Sequence, residues 1–147
     1  MTDTEFKMLL ISWKNFVLQY HIFYPKNSVM FPDPITIDFL ITHFNEEGFV
    51  KNTGGKRRRA AYDLSDGKGN TNIEVKSSFD FGKCNFSKSQ NNCQRIIYVC
   101  LKLNSISFYE LNNADVSLIN KSIDPKKGLS CSLKKYCKNK PFYKLDF

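Results

Sequence analysis

Apolar side chains recur at steps of three and four through the first twenty positions: Phe6, Leu9, Leu10, Trp13, Phe16, Val17 and Tyr20. That spacing predicts a helix of about four turns with one face in the core. A loop punctuated by Pro25, Pro32 and Pro34 follows. "ITIDFLITHFNEEG" then reads as a second helix that turns Ile37, Leu40, Ile41 and Phe44 inward and ends at Gly48. Beyond Gly48 the period shortens toward two. "FVKN" reads as a short strand, "AAYDLSD" and "TNIEVKSS" as two β-runs joined through Gly67 and Gly69, and "QRIIYVCLKL" and "SISFYEL" as a second strand pair around Asn104 and Ser105. "NADVSLINKS" predicts a short helix capped at Asn113. The stretch between the strand pairs, "FDFGKCNFSKSQNNCQ", is polar, with room for a turn or two of helix. The order is α-α-β-β-β, an ambiguous segment, then β-β-α. It predicts an α+β or α/β fold, with a central mixed β-sheet flanked by helices, in one domain spanning 1–147.

Candidate chemistry lies in "YDL" and "IEVKSS". Side chains alternate across a strand, so Glu74 and Lys76 share one face while Ile73, Val75 and Ser77 share the other. Asp63 sits in the preceding β-run, and pairing of the two runs brings its carboxylate toward Glu74. Two close carboxylates repel each other. A divalent cation relieves that repulsion, and Mg²⁺ favours one or two carboxylates completed by waters and a phosphate. Lys76 adds a positive charge that can orient a water or offset charge developing on a phosphoryl group. Against this stands the commonest meaning of Glu-x-Lys in a strand, a solvated face with a weak ion pair. Three features tilt the balance toward a site: the apolar flanks Ile73 and Val75, the aspartate in its own apolar run, and the basic loop "KRRR" just upstream.

These residues resemble the metal-binding core of the PD-(D/E)xK phosphodiesterase superfamily, and specifically the small type II restriction endonucleases. "IEVKSS" is a good instance of the second half of that motif; "YDL" is similar to the first half, with Tyr62 where the named motif has proline. The resemblance covers about residues 35–112. It implies a restriction-endonuclease-like core in which Asp63, Glu74 and Lys76 are catalytic. Asp63, Glu74 and the backbone carbonyl of Val75 would be the metal ligands, and Lys76 would orient or activate the attacking water. A further acid is expected from the second helix, among Asp38, Glu46 and Glu47. The implied cofactor is Mg²⁺, with Mn²⁺ able to substitute. The implied activity is hydrolysis of DNA phosphodiester bonds at a specific double-stranded site, leaving a 5′-phosphate and a 3′-hydroxyl. The implied partners are double-stranded DNA, a second copy of the chain in a homodimer, and a cognate DNA methyltransferase, in a bacterial cytoplasm. Two other readings stay open: a Holliday-junction or repair nuclease on the same core, and a non-catalytic basic DNA-binding module.

Charge changes the picture further. The 147 residues carry a net charge of +8, a field that attracts polyanions. Lys56, Arg57, Arg58 and Arg59 sit where they could hold phosphates or reach guanine edges. Lys88, Gln90, Asn91, Asn92 and Gln94 form a polar segment suited to reading bases, since Asn and Gln pair bidentately with adenine. The basic C-terminal segment, 121–147, is rich in lysine and better suited to phosphates than to bases. The longest apolar runs fall far short of the roughly 18 residues a bilayer demands, and the first residues lack a basic start or a small-residue cleavage site. A cytoplasmic protein without a membrane partner is the expectation. Five cysteines, odd in number and without a C-x-x-C pair, predict free thiols rather than a disulfide framework or a zinc site. His21 and His43 sit beside aromatic residues and read as structural. No G-x-S-x-G, P-loop or G-x-G-x-x-G supports a serine hydrolase or a nucleotide-cofactor enzyme.

Overall fold

The computed structural model of the chain describes residues 1–52, 62–66 and 71–147. Its first helix, α1 (Asp3–Phe23), opens on a capping box: Thr2 Oγ1 accepts from Glu5 N at 3.2 Å and Glu5 Oε2 accepts from Thr2 N at 2.7 Å. The buried stripe is Phe6, Leu10, Trp13 and Val17. Leu9 and Phe16, expected in the core, stay open to solvent because they stand roughly 70–90° round the helix from that stripe, at 100° per residue. The second helix, α2 (Asp33–His43), starts earlier than its apolar pattern suggested. Pro32 occupies the cap and Pro34 the first turn, where its missing N–H costs nothing. A short 3₁₀ turn, Asn45–Glu47, follows and ends at Gly48, whose φ of 68° suits a residue without Cβ.

Among the described residues eight strands follow: β1 (Val50–Lys51), β2 (Leu64–Ser65), β3 (Ile73–Phe79), β4 (Cys84–Phe86), β5 (Arg95–Leu101), β6 (Ser105–Glu110), β7 (Leu129–Cys131) and β8 (Tyr143–Asp146). Between β6 and β7 lies α3 (Asn113–Ser122), capped by Asn112 Oδ1 on Asp115 N at 2.8 Å, one residue ahead of the expected cap. Among the described residues, six strands make one sheet in the order β1-β2-β3-β5-β6-β8, and β4 pairs with β7 in a separate antiparallel ribbon. All neighbours in the large sheet are antiparallel except β3 and β5, which run parallel from Ile73↔Arg95 to Phe79↔Leu101. The expected mixed sheet flanked by helices is therefore present. It is a curled mixed sheet with three helices against it.

β5 shows where the core lies. Ile97, Val99 and Leu101 turn toward α1 and α2, in a cluster with Phe6, Phe39 and Phe108. Ile96, Tyr98 and Cys100 turn the other way, onto Val116 and Ile119 of α3. A strand buried on both faces reads as a continuous apolar run, which is why "RIIYVCL" shows no clean alternation. The segment expected to be ambiguous holds β4, and the lysine-rich tail holds β7 and β8. β8 lies along β6, pairing Ile106 with Leu145 and Phe108 with Tyr143, so part of the tail belongs to the sheet rather than to solvent. All five cysteines are free. Among the described residues, no helix is long and apolar enough to cross a membrane.

Candidate active site

The site begins where β2 stops. Among the described residues β2 meets β3 only at Leu64↔Ile73, and past Ile73 the outer edge of β3 has no partner strand. Asp63 supplies one contact there: its Oδ2 accepts from Val75 N at 2.9 Å, while its own carbonyl accepts from Asn52 N at 3.0 Å. A strand residue's N–H and C=O leave by the same edge, so the Val75 carbonyl is directed to the side on which Asp63 stands. Glu74, only 2% exposed, turns toward the α3 face of the sheet. Its carboxyl is in hydrogen-bonding reach of Asp63, and its Oε1 lies 3.1 Å from Lys76 Nζ. Glu74 Oε2 is buried and has no hydrogen-bond partner among the described groups. Burial and, next, the Asp63 carboxylate raise the Glu74 pKa to about 8, against the opposing pull of Lys76.

Lys76 is itself held from three sides. Besides Glu74, Gln90 Oε1 accepts from its Nζ at 3.2 Å, and the Phe86 ring lies 4.9 Å from the nitrogen. The same Gln90 oxygen accepts from Ser87 N at 2.9 Å, which fixes the amide over the site. Tyr62, next to Asp63, accepts from Asn92 N at 2.9 Å and donates to Ser89 O at 3.4 Å through its hydroxyl. The loop after β4 and the strand end that carries Asp63 are thus joined.

Asp63, Glu74, Val75 and Lys76 line one open cleft of about 320 Å³, together with Asp33 and Lys83. Asp33 is the acid that α2 contributes. It stands in the first turn, where an anion is favoured by the helix dipole, and its Oδ1 accepts from Ser77 Oγ at 2.9 Å. The acids expected for this role stand elsewhere. Asp38 and Glu46 are exposed outside the cleft, and Glu47 pairs with Arg95 at 3.5 Å beside Glu110. The expectation misplaced the helix start: with α2 beginning at Asp33, its N-terminus abuts β3 and the later acids point away.

Of the residues expected to meet DNA, Lys56, Arg57, Arg58 and Arg59 lie outside the described residues. Lys88, Asn91 and Asn92 are exposed on the loop that covers Lys76. Gln90 and Gln94 are engaged within the fold. Gln94 Oε1 accepts from Asn72 N at 2.7 Å and its own N–H donates to Asn72 O, which clips the start of β3 to the start of β5. The sequence pattern offered no sign of Gln90 as a partner of Lys76. The Asp33-Pro34 pair after Pro32, a helix-start signature, was the available sign of Asp33.

Among the described residues, no group of three or more His, Cys, Asp and Glu side chains converges to hold a metal ion. The groups that could hold one are fewer: two carboxylates, Asp63 and Glu74, and the Val75 carbonyl. That set leaves most of a coordination shell to waters and substrate oxygens, as Mg²⁺ prefers. The unpartnered Glu74 Oε2 and the raised proton affinity of Glu74 are the features a cation between Asp63 and Glu74 would resolve. No protein-family model, curated protein or solved structure matches the chain.

Proposed function

We propose that the chain is a Mg²⁺-dependent endodeoxyribonuclease built on a restriction-endonuclease-like core, acting as a type II restriction enzyme at a specific double-stranded site. The observation that carries this reading is the meeting of Asp63, Glu74 and Lys76 at the open edge of β3. The net charge of +8 supports a polyanionic substrate. Asp63, Glu74 and the Val75 carbonyl would hold the ion, which when bound supplies Lewis-acid stabilisation of charge on the scissile phosphate and the leaving oxygen. Lys76, fixed between Glu74 and Gln90, orients the attacking water in line with the bond to be broken and offsets negative charge as it builds on phosphorus. Attack breaks the bond between phosphorus and O3′, leaving a 5′-phosphate and a 3′-hydroxyl with no covalent intermediate. Mn²⁺ would substitute for Mg²⁺. In this reading the partners are DNA, a second copy of the chain and a cognate methyltransferase that protects the same site, in a bacterial cytoplasm.

The test is incubation of the protein with plasmid and phage DNA in Mg²⁺ and in Mn²⁺, beside Lys76→Ala. Discrete fragments that vanish in the variant support a restriction enzyme. A smear that vanishes in the variant keeps the nuclease and discards the site specificity. Binding of DNA with no cleavage under either metal overturns the enzymatic reading in favour of a basic binding module.

A further inference from the structure

The helix α1 is apolar on two sides, and only one of them is covered. Opposite the buried stripe, Met8, Ile11, Leu18 and Ile22 are 63%, 38%, 47% and 75% exposed. With Asn15 they repeat at steps of three and four, and at 100° per residue they fall in an arc of about 80° whose middle lies roughly 150° round from the stripe that packs on the sheet. That is a heptad seam: Met8, Asn15 and Ile22 take the first core position, Ile11 and Leu18 the fourth. We propose that this face joins α1 to α1 of a second copy of the chain, side by side and parallel, with Asn15 meeting its symmetry mate.

Flanking charge and the polar layer each point to this occupant. The four apolar side chains of the seam stand together on one exposed helix face, the kind of patch that marks an interaction site, while Leu9, Phe16 and Phe23 lie roughly 100–140° round the helix from its middle and take no part in it. Lys7 and Lys14 line one side of the seam, Ser12 and Gln19 the other. A parallel pair sets lysines against uncharged polar residues, whereas an antiparallel pair sets the lysine side against itself. A lone asparagine in an apolar seam costs stability against a partner that offers only apolar groups. Against its own copy in register it is hydrogen-bonded, and it fixes the alignment. The helix is already folded on its own domain, so association does not have to bear the cost of nucleating it.

The full chain is tested by sedimentation equilibrium from about 1 to 100 μM, a range that spans micromolar self-association. The expected result is a dimer in the wild type and at least a 100-fold weaker association for Leu18→Glu, with unchanged far-UV circular dichroism because Leu18 is exposed. Met8→Cys under mild oxidation gives a disulfide-linked dimer above the wild-type background in the parallel arrangement. In an antiparallel one the two sulfurs stand about 15 Å or more apart along the axis, at 1.5 Å per residue, and do not link. A wild-type monomer at the highest concentration overturns the proposal, whether the face then proves to bind lipid vesicles or another protein. So does a dimer indifferent to Leu18→Glu. The readout is mass, not cleavage, so failure here leaves the reading of Asp63, Glu74 and Lys76 standing, and failure of that reading leaves the seam.

Discussion

β3 and β5 are parallel neighbours in residue-for-residue register, yet they use the same places in opposite ways. On the α3 face, Glu74, Lys76 and Ser78 of β3 stand beside Ile96, Tyr98 and Cys100 of β5. β5 fills that face with apolar bulk. β3 puts a buried acid, its lysine and a hydroxyl there, each needing a partner. Burying a carboxyl beside a second carboxylate costs stability, and the cost appears as the raised proton affinity of Glu74. β5 and the opposite face of β3 offset it with the aromatic and aliphatic cluster under α1 and α2. One strand makes the scaffold rigid; its neighbour spends part of that rigidity on holding charges close together.

Substitutions can separate the two roles. On the proposed nuclease reading, Lys76→Ala should lower Mg²⁺-dependent DNA cleavage by at least about 100-fold, the usual scale for losing a positioned proton-handling or charge-stabilising group. Its melting temperature should barely move, because Glu74 is largely protonated at neutral pH without metal and loses little with its cation. Ile97→Ala on β5 should do the reverse. It should cost about 2–5 kcal/mol in urea unfolding, as large-to-small changes in a packed core do, with cleavage per folded molecule unchanged.

The pH dependence sharpens the contrast. The Glu74 pKa rises from 4.5 in the unfolded chain to about 8 in the folded one. Below 4.5 both states are protonated and no penalty applies. Between 4.5 and 8 only the unfolded state ionises, so the metal-free protein should lose stability, by a few kcal/mol, as pH rises through that window. Melting curves across it should fall for the wild type and flatten for Glu74→Gln, and Mg²⁺ added at pH 8 should raise the wild-type melting temperature. The smallest effect belongs to Ser78→Ala. Ser78 Oγ lies 2.6 Å from the Tyr98 hydroxyl and donates to Gly82 O at 2.8 Å. Its loss strands a buried phenol and should cost about 1–2 kcal/mol, read as a modest drop in melting temperature with activity retained.

Elements set by local pattern were legible before the structure. Phe6, Leu10, Trp13 and Val17 of α1 followed from its 3.6-residue period, though Leu9 and Phe16 did not, and the meeting of Glu74 and Lys76 followed from the two-residue period of β3. Asp63 reached them because a short antiparallel step connects β2 to β3. What depended on distant pairing was not legible. "CNF", "LSC" and "YKLD" are too short to show a period, and each became a strand only because a partner far along the chain was there to accept its hydrogen bonds. The prolines start α2 at Asp33, ahead of the apolar pattern that begins at Ile35, so the acid of α2 that reaches the cleft lies outside that pattern. Nothing in "SKSQNNCQ" marks Gln90 as the amide that folds back on Lys76.

The Tyr62 hydroxyl bonds two points on the loop that carries Gln90, and Tyr62 is the covalent neighbour of Asp63. The acid at the edge of β3 and the amide above Lys76 are therefore two ends of one linkage with a phenol as its pin. The positions of Gln90 and Asp63 are thereby linked through hydrogen bonds of a single ring, so that a change at Tyr62 is felt at both the lysine and the carboxylates.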